Sequence, residues 1–141
     1  MATGLEGGET MTDEASGTDG LDRIGQIAVN VHDLARAVAF YRDVLGMRFL
    51  FEVPRMAFFD CSGIRLMLGV AVEERFDHPA SIIYYAVPDI GGMADVLKAR
   101  GVEFESEPHD VADLGDRVLW LAFMRDTESN MLALMSEVPK V

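Results

Sequence analysis

Histidine and aspartate side chains lie close together in one stretch of the chain, at His109, Asp110, Asp113 and Asp116. Imidazole and carboxylate groups are common ligands of divalent cations, so the stretch has the residue types of a metal site. Acid-rich loops are, however, usually just solvated. The histidines also lack any recognised zinc spacing. We therefore predict no metal site from these residues.

Other reactive side chains also lack the partners that catalysis requires. Glu103, Glu105 and Glu107 alternate along a predicted strand and could perform acid/base chemistry, but this spacing is more typical of a solvated strand face. Cys61 has no evident activating base, which favours an inert thiol over a nucleophile. The chain contains no glycine-rich phosphate loop and no serine nucleophile elbow. Three groups remain as candidate acids or bases: His109, Tyr84 and Asp116.

The composition favours one soluble domain. The chain has 141 residues, 50% of them hydrophobic, and a formal net charge of −12. Six acids and no Lys or Arg fall in residues 1–22, so the other 119 residues carry about −6. We expect residues 1–21 to form a disordered acidic tail. An acidic surface argues against nucleic acid and anionic membranes as partners. A single cysteine and the absence of a signal-like or long apolar segment predict a cytoplasmic protein.

Residues 24–50 predict a strand, a helix and a second strand. Asp33 has the residue type of a helix N-cap, apolar residues then recur at helical spacing, and Gly46 supplies the stop. Residues 55–61 and 64–70 predict two more strands, joined by a turn at Ser62 and Gly63. Residues 71–80 are charged, contain proline and predict a linker.

The same order of elements then recurs. We predict a strand at residues 81–87, a helix capped by Asp89 and stopped by Gly101, a strand at 102–107, a loop at 108–116, and strands at 117–124 and 130–136. Val31 and Asp33 match Val87 and Asp89 at a spacing of 56 residues. The chain is therefore predicted to be an α+β protein with two tandem β-α-β-β-β repeats, at about 22–70 and 81–138. We predict one domain at residues 22–138, a C-terminal end at residues 139–141, and curved sheets that enclose a cavity.

Three motifs identify a family resemblance. Val31, Asp33 and Leu34 form V-x-D-L, which is followed by AFYRDVLGM at residues 39–47; V-P-D-I recurs at residues 87–90. Residues 126–134, DTESNMLAL, are similar to D-P-D-G-N-x-x-E-L, with Thr127 in place of Pro and Ser129 in place of Gly. These motifs resemble the vicinal oxygen chelate superfamily of glyoxalase I, bleomycin-resistance proteins, extradiol dioxygenases and fosfomycin-resistance enzymes. The resemblance covers about residues 21–138 and implies the same fold.

The resemblance also implies which positions would hold a metal. The family's metal-dependent members use His, Glu or Gln at four inward-facing strand positions, and these correspond here to Gln26, Met67, Ile82 and Ala133. Only Gln26 could coordinate a hard divalent ion, because Ile and Ala have no donor atom and a thioether is soft. We therefore expect neither the family metal nor another cofactor.

Alternation along the strands from those four positions predicts the lining of the cavity. The predicted ligand-binding residues are Gln26, Ala28, Asn30, Phe58, Arg65, Met67, Ile82, Tyr84, Trp120, Met131, Ala133 and Met135. Such walls suit an apolar or aromatic organic ligand oriented by Gln26 and Tyr84. Arg65 could meet an anionic or carbonyl group if it points inward, and the alternative is that it faces solvent or a partner subunit. The alternative for each of these residues is simple core packing.

Two functions are compatible with this cavity. The first is a metal-free binding protein that sequesters an organic compound, as the resemblance to bleomycin-resistance proteins implies; the resemblance also implies a homodimer. The second is an enzyme that isomerises, cyclises or oxygenates a substrate through His109, Tyr84 or Asp116. A metal-dependent lyase or dioxygenase is less favoured, since three of the four ligand positions lack suitable residues. A purely structural or regulatory dimer has no positive feature in the sequence.

Overall fold

The computed structural model describes residues 20–141. The predicted tail at residues 1–21 therefore falls almost entirely outside the described residues. The first repeat comprises β1 (Gln26–Asn30), α1 (Leu34–Ala39), β2 (Arg48–Val53), β3 (Met56–Cys61) and β4 (Ile64–Gly69). The second comprises β5 (Ile83–Ala86), α2 (Ile90–Ala99), β6 (His109–Asp113), β7 (Arg117–Arg125) and β8 (Met131–Pro139). The connection between the repeats contains a single 3₁₀ turn at Glu74–Phe76.

Each repeat forms a four-stranded sheet, and the two sheets have equivalent strand orders. The first sheet has the order β1-β4-β3-β2 and the second has the order β5-β8-β7-β6. The first and last strands of each repeat run parallel, and the remaining pairs are antiparallel. This arrangement confirms the predicted α+β fold of two β-α-β-β-β repeats.

Local sequence signals explain where both helices begin and end. The carboxylates of Asp33 and Asp89 accept hydrogen bonds from backbone N–H groups three residues later, as N-caps do. A π-helical turn at Phe40–Val44 follows α1. Gly46 and Gly101 then adopt φ values of +73° and +96°, a conformation that costs little only for glycine.

The repeat breaks down after α2, where one strand prediction is wrong. Residues 102–107 do not form a strand; they make only an isolated bridge between Phe104 and Met124. Phe104 is the single apolar side chain between Glu103 and Glu107, and the neighbouring glutamates extend to cations. The edge strand forms instead at His109–Asp113, within the predicted loop, where it pairs with β7.

One hydrophobic core joins the two repeats. Val29, Phe59 and Leu68 of the first sheet, Tyr41 near α1 and Met124 of β7 belong to the same buried cluster. We call the face of each sheet that contributes to this core the helix face. The opposite face of each sheet is the open face. Within residues 20–141, no helix is long and apolar enough to cross a membrane.

Candidate functional site: the open faces of the two sheets

Strand register defines the open face of the first sheet. Ala28 lies beside Met67, Met67 beside Phe58, and Phe58 beside Phe51, which forms an apolar row across all four strands. The Phe51 and Phe58 rings stack with centroids 4.7 Å apart. Phe58 is only 8% exposed, whereas Phe51 is 46% exposed. The row therefore has a fixed floor and an aromatic rim that is open to a ligand.

A polar group lies directly beside this row. Gln26 and Arg65 are register partners on β1 and β4. Arg65 Nε donates a hydrogen bond to Gln26 Oε1 at 2.9 Å, and Gln26 Nε2 lies 3.8 Å from Met67 Sδ. The Arg65 guanidinium carbon also lies 5.1 Å from the centre of the Phe58 ring. Gln26 therefore contacts Met67 of the row, and Arg65 places a guanidinium near the Phe58 ring.

The open face continues into a pocket of about 370 Å³ beneath the connection between the repeats. Asn30 and Met67 line this pocket as predicted positions, and Phe76 from the connection lines it as well. Asn30 Nδ2 donates a hydrogen bond to the carbonyl of His78 at 2.5 Å, which fastens the connection over the sheet. This segment was predicted only as a linker, and its contribution to the pocket was not predicted, although Val72 and Phe76 are apolar residues in a charged stretch.

The second open face contains most of the remaining predicted lining residues. Tyr84 is the register partner of Ala133, and Phe123 pairs with Ala133 from the other side. The Tyr84 and Phe123 rings are in edge contact at 6.1 Å. Met131 and Met135 lie two residues before and after Ala133 on the same face. The pocket over the first open face includes none of these residues, so the structure does not bring the whole predicted lining into that one pocket.

Two predicted lining residues are placed differently from the rest. Trp120 pairs with Ser136 on β8 and alternates with Leu121, so it lies on the helix face, where it packs against the core. The neighbouring side chain of Leu121 lies on the open face instead, because successive side chains of a strand point to opposite faces of the sheet. Ile82 precedes β5 and is 44% exposed.

The candidate acid/base groups do not converge. Tyr84 is on β5 and His109 is on β6, and these strands are the opposite edges of one four-stranded sheet. Three strand spacings separate them, which is about 14 Å. The His109 ring lies 2.8 Å from the carbonyl of Glu107, and Asp116 is an exposed residue between β6 and β7. The thiol of Cys61 has a pKa raised by burial and by the neighbouring Asp60, which disfavours the thiolate.

The four positions that correspond to the family's metal ligands do not fit a metal ion. The register equates Met67, opposite Ala28, with Ala133, opposite Tyr84, in agreement with the positions inferred from sequence. The one suitable donor, Gln26 Oε1, already accepts a hydrogen bond from the cationic Arg65. Ile, Ala and a thioether cannot complete an oxygen or imidazole shell, and a guanidinium repels a cation. Across residues 20–141, no three His, Cys, Asp or Glu side chains form a group that could hold a metal.

The closing motif has a structural role that sequence analysis missed. Asp126 is buried, accepts hydrogen bonds from the backbone N–H groups of Glu128 and Asn130, and accepts a 2.7 Å bond from the Tyr41 hydroxyl of the other repeat. Glu128 accepts hydrogen bonds from the backbone N–H groups of His32 and Asp33, each at 2.9 Å. The motif therefore connects the last turn of the second repeat to the first helix.

Comparison with known proteins agrees with this architecture. The sequence model of the Glyoxalase/Bleomycin resistance protein/Dioxygenase superfamily matches residues 23–134. The chain belongs to this superfamily. It is 27% identical over 123 residues to the uncharacterized protein YraH of Bacillus subtilis (strain 168), covering 77% of this chain and 94% of that protein.

Solved structures of superfamily members share the fold at low sequence identity. A glyoxalase/bleomycin resistance protein/dioxygenase from Nocardioides matches with a TM-score of 0.69 and 22% identity, covering 86% of this chain and 87% of that one. The lactoylglutathione lyase from Agrobacterium tumefaciens matches with a TM-score of 0.65 and 20% identity, covering 83% and 95% of the two chains. These similarities establish the superfamily scaffold, whereas the functional surface must be interpreted from this chain's own residues.

Proposed function

We propose that this superfamily member is a metal-free binding protein for an apolar or aromatic organic compound, which it holds for sequestration or resistance. The observation that carries the proposal is the first open face, where stacked Phe51 and Phe58 lie beside Met67 and the hydrogen-bonded pair of Gln26 and Arg65. Aromatic and thioether walls favour apolar ligands through dispersion, and a few polar atoms fix their orientation.

The donor chemistry of the family's metal positions supports the metal-free part of the proposal. Elemental analysis of protein purified without chelator should find less than stoichiometric Fe, Mn, Ni and Zn. A stoichiometric metal that disappears in the Gln26→Ala variant would contradict the proposal.

A thermal-shift screen of aromatic natural products tests ligand binding directly. We expect at least one compound to raise the unfolding temperature saturably, because a ligand that binds only the folded state stabilises it. Phe51→Ala should weaken that shift, since the Phe51 ring is the exposed part of the aromatic row. Leu114→Ala is the matched control, because Leu114 is equally exposed, at 48%, but lies between β6 and β7. Equal shifts in both variants would exclude the first open face as the binding surface.

The enzymatic alternative predicts that the bound compound is consumed. Chromatography of a stabilising compound after prolonged incubation with purified protein separates the two functions. Recovery of the unchanged compound supports a binding protein. Formation of a product would instead support an enzyme, and it would direct mutagenesis to His109, Tyr84 and Asp116.

We further propose that two copies of the chain form a homodimer, as the family resemblance implies. Ile82 and Tyr84 are 44% and 45% exposed on one edge of the second sheet, and such apolar surface is stabilised by a second subunit. Light scattering coupled to size-exclusion chromatography should give about twice the chain mass of 15.5 kDa. A monomer at all accessible concentrations would contradict the dimer without affecting the metal-free assignment.

A further inference from the structure

The Arg65 guanidinium has an environment unlike that of most cations in this acidic chain. Seven of the twelve Lys and Arg side chains lie within 4.0 Å of a carboxylate, and Arg65 is not among them. Its only hydrogen bond to residues 20–141 is from Nε to the neutral amide oxygen of Gln26. The terminal nitrogens of the guanidinium are therefore available as donors to a ligand.

The carboxylate beside Arg65 on the adjacent strand is engaged elsewhere. Asp60 is the register partner of Arg65 on β3. Its carboxylate accepts a hydrogen bond from the backbone N–H of Gly63 at 3.1 Å and lies 4.0 Å from the guanidinium of Arg48. Asp60 therefore does not neutralise Arg65 by direct pairing, although it lies on the adjacent strand.

The surroundings of Arg65 fix the guanidinium in place. Gln26 accepts the hydrogen bond from Nε, and the guanidinium carbon lies 5.1 Å from the centre of the Phe58 ring. A guanidinium held through Nε presents its remaining N–H groups together, in a geometry that suits the two oxygens of a carboxylate or sulfonate. Its side-chain entropy is also partly lost before a ligand arrives, which reduces the cost of binding.

We propose that the ligand of this protein is an organic anion with an aromatic body, in which a carboxylate or sulfonate pairs with Arg65 and the body lies over Phe58 and Phe51. The inference rests on the proposed binding function and specifies its ligand class. In this arrangement the terminal N–H groups of Arg65 select for the anionic group, and the stacked Phe58 and Phe51 rings select for the aromatic body.

Two fluorescent dyes with a shared aromatic framework test this inference: anilinonaphthalene sulfonate, which is anionic, and phenylnaphthylamine, which lacks the sulfonate. Titration of each dye into the native protein should show saturable binding, with the anion bound more tightly. Arg65→Met should weaken anionic dye binding by about tenfold, or about 1.4 kcal/mol, and thereby remove the preference for the anionic dye over the neutral one. Arg65→Lys should retain part of the preference, because it keeps the charge but not the fork geometry.

Arg36→Met is the matched control. Arg36 is an exposed arginine on α1 without a carboxylate within 4.0 Å among the described residues, and its replacement should leave both affinities unchanged. Two results would show that the anion inference is wrong while the proposed binding surface stands. One is equal affinity of the native protein for the two dyes. The other is an Arg65→Met variant that keeps the preference for the anionic dye. If neither dye binds saturably, both the inference and the proposed binding surface are contradicted.

Discussion

At the scale of single residues, the three tyrosines show how placement decides the role of one side chain. Tyr41 is fully buried and donates its hydroxyl hydrogen to Asp126. Burial and the negative charge of Asp126 raise the pKa of Tyr41, so the phenol stays protonated and remains a donor. The Tyr85 hydroxyl is also buried but has no partner among the described residues, whereas Tyr84 is 45% exposed on the second open face.

The two buried phenols predict different effects of a Tyr→Phe substitution on stability. Tyr41→Phe removes a donor from the buried carboxylate of Asp126 and should lower the free energy of unfolding by about 1–3 kcal/mol. Tyr85→Phe removes a hydroxyl without a partner and should be neutral or slightly stabilising. Urea denaturation of both variants measures the difference. A loss of stability in Tyr85→Phe equal to that in Tyr41→Phe would show that the Tyr85 hydroxyl also has a stabilising partner.

At the scale of elements, the connection between the repeats is attached at its end by a cluster of charges. His32 Nε2 lies 2.9 Å from Asp77 of the connection, and Nδ1 lies 3.3 Å from Glu128 of the closing turn. The hydrogen bond and charge of Asp77 raise the pKa of His32 above its ordinary value of 6.5, and Glu128 adds to the effect. The cluster therefore brings together three segments that are far apart in sequence.

The raised pKa of His32 predicts a pH dependence of stability. A histidine whose pKa is higher in the folded state contributes its stabilisation fully below its ordinary pKa of 6.5 and loses it as the pH rises through the folded value. The unfolding temperature of the wild type should therefore exceed that of His32→Gln most clearly below pH 6.5, and the difference should shrink at higher pH. His109→Gln is the control, since its ring contacts a carbonyl rather than a carboxylate. A difference independent of pH would exclude the charged cluster as its cause.

At the scale of the whole molecule, the two repeats share one core and are also bridged by hydrogen bonds. Arg100, after α2, donates to the carbonyl of Val44, near the end of the first helix, at 2.9 Å, and Tyr41 reaches Asp126 in the opposite direction. Because side chains of both repeats form this core, unfolding of one repeat would expose apolar surface of the other. We therefore expect the duplicated sequence to unfold as one cooperative unit rather than as two independent ones.

This shared core predicts a single unfolding transition, which a separate probe in each repeat can follow. Trp120, the one tryptophan, reports on the second repeat through its fluorescence, and Cys61, the one cysteine, reports on the first through its reactivity with a thiol reagent. Both signals should change at the same urea concentration. Separate midpoints would show that the repeats unfold independently and that the contacts between them are weak.

The sequence by itself determined the features whose causes are local. The caps at Asp33 and Asp89, the stops at Gly46 and Gly101, and the strand periodicity around Met67 and Ala133 depend on neighbouring residues, and all are present in the structure. The family motifs likewise placed the superfamily fold correctly. Residues 102–107 mark the limit of this reasoning, because an edge strand forms only where a distant partner, here β7, accepts it.

Only the tertiary structure decided which side chains meet. Trp120 and Phe58 were equivalent as predicted walls, but the register places Trp120 on the helix face and Phe58 under the Arg65 guanidinium. Gln26 was predicted as a polar wall residue that orients the ligand, whereas its oxygen accepts a hydrogen bond from Arg65, a residue 39 positions away. A hydrogen bond between strands depends on register and facing, which local periodicity leaves open by one residue. Gln26, which corresponds to a metal-ligand position of the family, therefore lies at the edge of a cationic and aromatic surface. Its position in the sequence alone could not show this.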